Sequence, residues 1–202
     1  MQKSGLLIFG VVIGFAVILG AWFIADYFYA YQGVLIDPPA QAPDFSLVDQ
    51  HGNPFTLSEQ RGSLVLIFFG YTHCPDVCPA TLVEMAQVMK LLGDKSDRVQ
   101  VLFVTLDPER DTQALLASYV PAFDKRFVGL YGSPEATAKT AKEFKVFYQK
   151  VVAPGAAPGI YTIDHSAGSF AFDAQGRLRL FIKHGQGAEP LAQDLARLID
   201  EG

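Results

Sequence analysis

The sequence predicts an α/β domain organised around a central mixed β-sheet, and three observations predict it. Continuous apolar runs at 63–70 ("SLVLIFFG") and 99–107 ("VQVLFVTLD") have the pattern of strands buried on both faces. Each run is followed by a segment with helical spacing of its apolar residues. The chain then closes on two strand-like pieces flanking "AQG" and a last amphipathic helix.

The N-terminus stands apart from that plan. Residues 5–25, "GLLIFGVVIGFAVILGAWFIA", carry no charge and are bracketed by Lys3 and Asp26. A helix needs about 20 apolar residues to cross a bilayer. A signal-peptide core is shorter, about 7–15 residues, and ends at a small-x-small site that is missing here. No cysteine follows to take a lipid. Residues 1–4 are therefore expected to be a cytoplasmic stub and 5–25 an uncleaved transmembrane anchor, with Lys3 holding the N-terminus inside. Trp22, Phe23, Tyr27, Phe28, Tyr29 and Tyr31 suit an interfacial belt. Residues 26–43, with Pro38, Pro39 and Pro43, read as a linker.

The folded domain is expected over 44–202. It opens with a hairpin that turns at Gly52, Asn53 and Pro54, and the strand 63–70 follows. Behind Cys78, residues Leu82, Met85, Val88, Met89 and Leu92 fall on helical spacing until Gly93. After the strand 99–107, a helix over 111–120 stops at Pro121, and "FVGLYG" is a short strand. Ser133 caps the next helix, with Pro134 at its first position. "VFYQKVV", a Gly/Pro-rich loop at 154–159 and "IYTID" form an insertion. The hairpin "GSFAFD"/"RLRLFIKH" and the helix "AEPLAQDLARLID" complete the chain. This order matches the thioredoxin-like plan, whose reactive groups gather at the turn after the first core strand.

Charge excludes one class of partner. At 202 residues with a net charge of -5, the chain lacks the basic excess a nucleic-acid surface requires.

The chain's two cysteines both lie in "GYTHCPDVCP", four residues apart at Cys74 and Cys78. Side chains four apart on a regular helix sit about 5–6 Å apart, too far for a disulfide unless Cys74 lies off the helix, which Pro75 permits. Thiols at a helix N-terminus have lowered pKa, which suits redox exchange. Familiar redox couples are C-x-x-C, and the extra residue here widens the bite, which suits two thiolates converging on one ion better than fast exchange without forbidding exchange. Such soft ligands select Cu(I), zinc or an iron–sulfur cluster; a cluster wants four cysteines, and zinc four ligands. A histidine would have to join. His51 and His184 read as ordinary residues; His73, beside Cys74, and His165, at a strand end in "YTIDHSAGS", both remain open.

Taken together, "GYTHCPDVCP", "LDPERDT" and "YTIDHS" resemble the Sco/SenC family of cytochrome oxidase assembly proteins. The likeness runs from "APDFSLVDQHG" to the terminal helix. It implies a thioredoxin-like domain that binds one copper ion, Cu(I) or Cu(II), through Cys74, Cys78 and His165. It also implies delivery of copper to the binuclear centre of cytochrome c oxidase subunit II, or reduction of that subunit's thiols, with copper received from a donor protein. The expected setting is a bacterial inner membrane with the domain facing the periplasm, since no Arg/Ser-rich presequence precedes the anchor. The contrasting class is an enzyme: a metal-independent thiol–disulfide oxidoreductase or peroxidase-like relative. Asp107, ending the second core strand, is expected to orient His165 or attract the donor, or simply to start a turn with Pro108. Met85 and Met89 share core spacing with Leu82 and Leu92 and are read as packing, not as ligands.

Overall fold

The computed structural model describes residues 11–20, 30–157 and 159–202. The chain divides into two compact units, residues 1–31 and 32–202. In the first, residues 11–20 are helical. The expected span 5–25 lies partly outside the described residues, and among those described no helix is long and apolar enough to cross a membrane.

The second unit begins with β1 (Val34–Gln41), β2 (Ser46–Asp49), β3 (Pro54–Thr56) and β4 (Leu64–Gly70), and α1 (Val77–Leu92) follows. Next come β5 (Val99–Thr105), α2 (Gln113–Tyr119), β6 (Val128–Tyr131) and α3 (Pro134–Glu143). The chain ends with β7 (Tyr148–Val151), β8 (Thr162–His165), β9 (Ser169–Phe172), β10 (Arg177–Ile182) and α4 (Ala188–Glu201). Among the described residues the main sheet runs β1-β10-β9-β4-β5-β6-β2-β3, and β7 and β8 form a separate pair. β4 lies parallel to β5, and β5 to β6, while β9 joins β4 antiparallel. The sheet is therefore mixed, with helices flanking it, as the apolar runs predict.

The reason lies in the sequence of β4. All its residues are buried. Val65, Ile67 and Phe69 join Leu102, Val104, Phe144 and Phe172 in one core cluster. Strand side chains alternate, so Leu66 and Phe68 bury on the opposite face. α1 ends where Gly93 takes φ +55°, a conformation that favours glycine. The Ser133 and Thr112 hydroxyls cap α3 and α2 by accepting from the amides of Ala136 and Leu115.

One expectation is corrected. Residues 34–41, read as part of a linker, form the edge strand β1. Val34 pairs with Phe181, Leu35 with Leu180, Ala40 with Leu178 and Gln41 with Arg177, and the register shifts in between. The shift spans Pro38 and Pro39, which lack a donor and are tolerated at a sheet edge. Just upstream, the buried carboxylate of Asp194 on α4 accepts from the amides of Gly33 at 2.8 Å and Gln32 at 3.1 Å. The compact unit thus starts at residue 32, not 44.

Candidate metal centre

β4 leads directly into the cysteine turn, and its last residue makes room for one of the sulfurs. A Cβ on Gly70 would lie 2.9 Å from Cys78 Sγ and 2.9 Å from the Phe68 ring. Cys74 precedes α1 and is partly exposed, whereas Cys78 sits in the first turn of the helix and is fully buried. Both thiols are free. The amide of Cys78 donates to Cys74 Sγ at 3.5 Å. Burial pushes the Cys74 thiol up, but the backbone amides of Asp76, Cys78 and Val77 outweigh it and hold the thiol below its ordinary value. Burial drives the Cys78 thiol the other way, well above the ordinary range.

The approach to the turn is fixed by Asp111. Its buried carboxylate accepts from the Thr72 amide at 3.0 Å, the Thr72 hydroxyl at 2.5 Å and the Thr105 hydroxyl at 2.6 Å. His73 turns toward the same group, with Nδ1 3.0 Å from Thr72 Oγ1 and 3.6 Å from Asp111.

His165 arrives from the other side, at the end of β8. Its Nε2 lies 3.6 Å from Cys78 Sγ. Its Nδ1 lies 3.0 Å from the carbonyl of Ser166. A carbonyl only accepts, so Nδ1 carries the proton and the Nε2 lone pair faces the sulfur. Burial lowers the pKa of His165, which keeps the ring neutral. The rings of Tyr71 and Phe68 pack against the imidazole at 6.0 Å and 6.1 Å. β8 is held in place by β7, with His165 opposite Tyr148 and the Ser166 amide donating to Phe147 O at 2.9 Å.

Of the histidines left open by spacing, the structure brings His165 to the Cys78 thiol. His184 is engaged with the Thr81 hydroxyl at 3.0 Å, and His51 is exposed in the first hairpin. Met85 and Met89 are core residues, each 1% exposed. Asp107 does not bond His165 directly among the described residues. Its buried carboxylate accepts from Arg110 Nε at 2.5 Å and Tyr161 Oη at 2.7 Å, while Ser166 takes the free imidazole nitrogen. Sequence reasoning misses Asp111, Arg110 and Tyr161, although two of these lie in the quoted "LDPERDT".

Among the described residues, no three or more His, Cys, Asp or Glu side chains stand close enough together to hold a metal ion. The donors stand instead as two adjacent pairs that share Cys78. Two thiols and a neutral imidazole with its lone pair directed inward are a soft set, chemically suited to Cu(I). The same arrangement of an exposed, acidified thiol beside a buried, protonated one also suits disulfide exchange.

Comparison with known proteins follows the same line. The sequence profile described as SCO1/SenC matches residues 35–200. An SCO2-like protein of Rickettsia felis is 38% identical over 141 residues, 70% of this chain and 67% of that protein. The mitochondrial SCO2 homolog of Mus musculus is 37% identical over 158 residues, 77% of this chain and 61% of that one. The solved structure of Bradyrhizobium japonicum ScoI with copper bound is 39% identical, with TM-score 0.72, over 79% of this chain and 99% of its own. Apo Sco1 from Thermus thermophilus is 40% identical, with TM-score 0.76, over 85% of this chain and 98% of its own.

Proposed function

Because the chain belongs to the SCO1/SenC family, we propose that it is a membrane-anchored copper chaperone. It holds one copper ion on Cys74, Cys78 and His165. It delivers the ion to the binuclear copper centre of cytochrome c oxidase subunit II, or first reduces that subunit's thiols. The single observation that carries the reading is the 3.6 Å approach of His165 Nε2 to the buried Cys78 sulfur. In the metal-free chain His165 Nε2 is placed to accept the Cys78 thiol proton in a hydrogen bond. A soft cation takes the place of that proton, so loading releases protons and weakens as pH falls. Cys74, partly exposed, is the sulfur a partner reaches first, and imidazole is the softer set's weakest member and leaves first. A donor protein would load the site through the same exposed edge. The uncharged run 5–25 and Lys3 support an inner-membrane location with the domain on the periplasmic side.

One observation favours a second reading, a thiol–disulfide reductase. The acidified Cys74 and the protonated, buried Cys78 divide the roles of attacking and resolving thiol. Anaerobic titration of the reduced full chain in detergent with Cu(I), against a calibrated chelator, separates the two. The chaperone reading expects one copper per chain. Cys74→Ser, Cys78→Ser and His165→Ala should each weaken it by more than about 100-fold, the upper range for residues outside the ligand set. His73→Ala should bind like the wild type. If copper is not retained while thiol exchange proceeds, the protein is a reductase.

A further inference from the structure

Tyr161 lies four residues before His165 and one before β8, and the turn 107–110 after β5 grips it three ways. Its hydroxyl donates to Asp107 at 2.7 Å. Its carbonyl accepts from Arg110 Nη1 at 2.9 Å. Its ring lies under the Arg110 guanidinium, 3.5 Å from the Arg110 Cζ to the centroid. Arg110 is in turn fixed by its Nε bond to Asp107, whose side chain is fully buried. The grip extends to the other strand of the pair, where Lys150 of β7 meets Glu109 at 2.5 Å and stands 4.8 Å over the Tyr161 ring. Burial and the bond to Asp107 push the Tyr161 hydroxyl up to about 12, so it remains a donor at any physiological pH.

β7 and β8 pair with each other and not with the main sheet. Among the described residues the strand that carries His165 gains ladder bonds from β7 and none from the main sheet, so side-chain ties to the main sheet's loops help to place it. Arg110 also stands 5.9 Å from the ring of Tyr71, which packs against His165. We infer that the Asp107–Arg110–Tyr161 cluster is a clasp that positions the His165 imidazole over the cysteine pair. Tyr161 and Arg110 act through His165 and are positioning residues, not ligands. The inference rests on the proposed role of His165 as the third ligand.

The test is a double-mutant cycle on the full chain in detergent, read as Cu(I) affinity by chelator competition. Tyr161→Phe keeps the ring and removes the hydroxyl; Tyr161→Ala removes both. Each is measured alone and combined with His165→Ala. Tyr161→Phe should weaken copper about 10-fold and Tyr161→Ala up to about 100-fold, the range found for groups that orient a metal ligand. In the His165→Ala background both effects should vanish, because the residue they act through is gone. In the copper-free chain, amide exchange at 162–165 should quicken in Tyr161→Ala while the alkylation rate of Cys74 stays unchanged. Wild-type copper affinity in both Tyr161 variants, or losses that add fully to that of His165→Ala, would overturn the clasp alone. If His165→Ala itself leaves copper affinity intact, the ligand assignment falls and the clasp falls with it.

Discussion

Cys74 and Cys78 are four residues apart, one just before α1 and one in its first turn, yet their surroundings push them in opposite directions. Backbone amides at the start of α1 lower the Cys74 pKa against the pull of burial, and burial raises that of Cys78. The thiolate is the reactive form, so lowering pKa extends Cys74 reactivity toward lower pH and raising it withholds Cys78. Iodoacetamide on the reduced, metal-free chain at neutral pH should therefore modify Cys74 first. Mass spectrometry showing equal or reversed labelling would contradict the two environments. Gly70 supplies a second prediction. Gly70→Ala drives a methyl within 2.9 Å of Cys78 Sγ and 3.0 Å of Phe103, and overpacking of this kind costs about 1–3 kcal/mol. Denaturant unfolding should show that loss, together with weakened copper binding, since the sulfur itself must move. The cysteine spacing was legible in the sequence because thiols are rare and their chemistry is specific. Which aspartate does what was not: Asp107 and Asp111 look alike in "LDPERDT", and only tertiary partners distinguish one gripping Tyr161 from one gripping Thr72.

At the scale of elements, most strands and helices were legible because burial imposed a period. β4 reads as a two-faced strand because both faces are covered, and α3 announces its start with Ser133 and Pro134. β1 was illegible for the opposite reason. Only Ile36 in it is even partly buried, so no alternation marks it, and Pro38, Pro39 and Pro43 suggest a tether. Its stabilisation comes from main-chain bonds to β10, which no side-chain pattern encodes. This changes where the domain can be cut. Deletion of residues 1–31 should leave a folded protein. Deletion of 1–41 removes β1 along with the amides that Asp194 holds, and exposes the edge of β10. Each kcal/mol lost lowers Tm by about 2–4 °C for a chain of this size. Thermal melts and light scattering of the two products should therefore diverge, with the shorter one melting lower and aggregating. Equal behaviour would mean that β1 adds nothing to the fold.

For the whole molecule, the orientation proposed from Lys3 and the uncharged run has a direct check in cells. A C-terminal reporter that is active only outside the cytoplasm should be active, and a cytoplasm-only reporter silent. The reverse pattern would remove the oxidising setting in which the cysteine pair is expected to cycle. The pairing of β1 with β10 carries a further consequence, in the order of synthesis. Val34 is made near the start of the domain and its partner Phe181 near the end. At about 5–20 residues per second, translation leaves the first strand without its mate for on the order of ten seconds. The cysteine turn and then His165 emerge within that interval, before the sheet can close at its leading edge. Strand β1 waits for β10 to be satisfied, so a chain cut short before β10 leaves β1 unpaired whatever else it has folded. Completion of translation is thus written into the sheet, and an interrupted product exposes the fault to any protease or neighbouring strand.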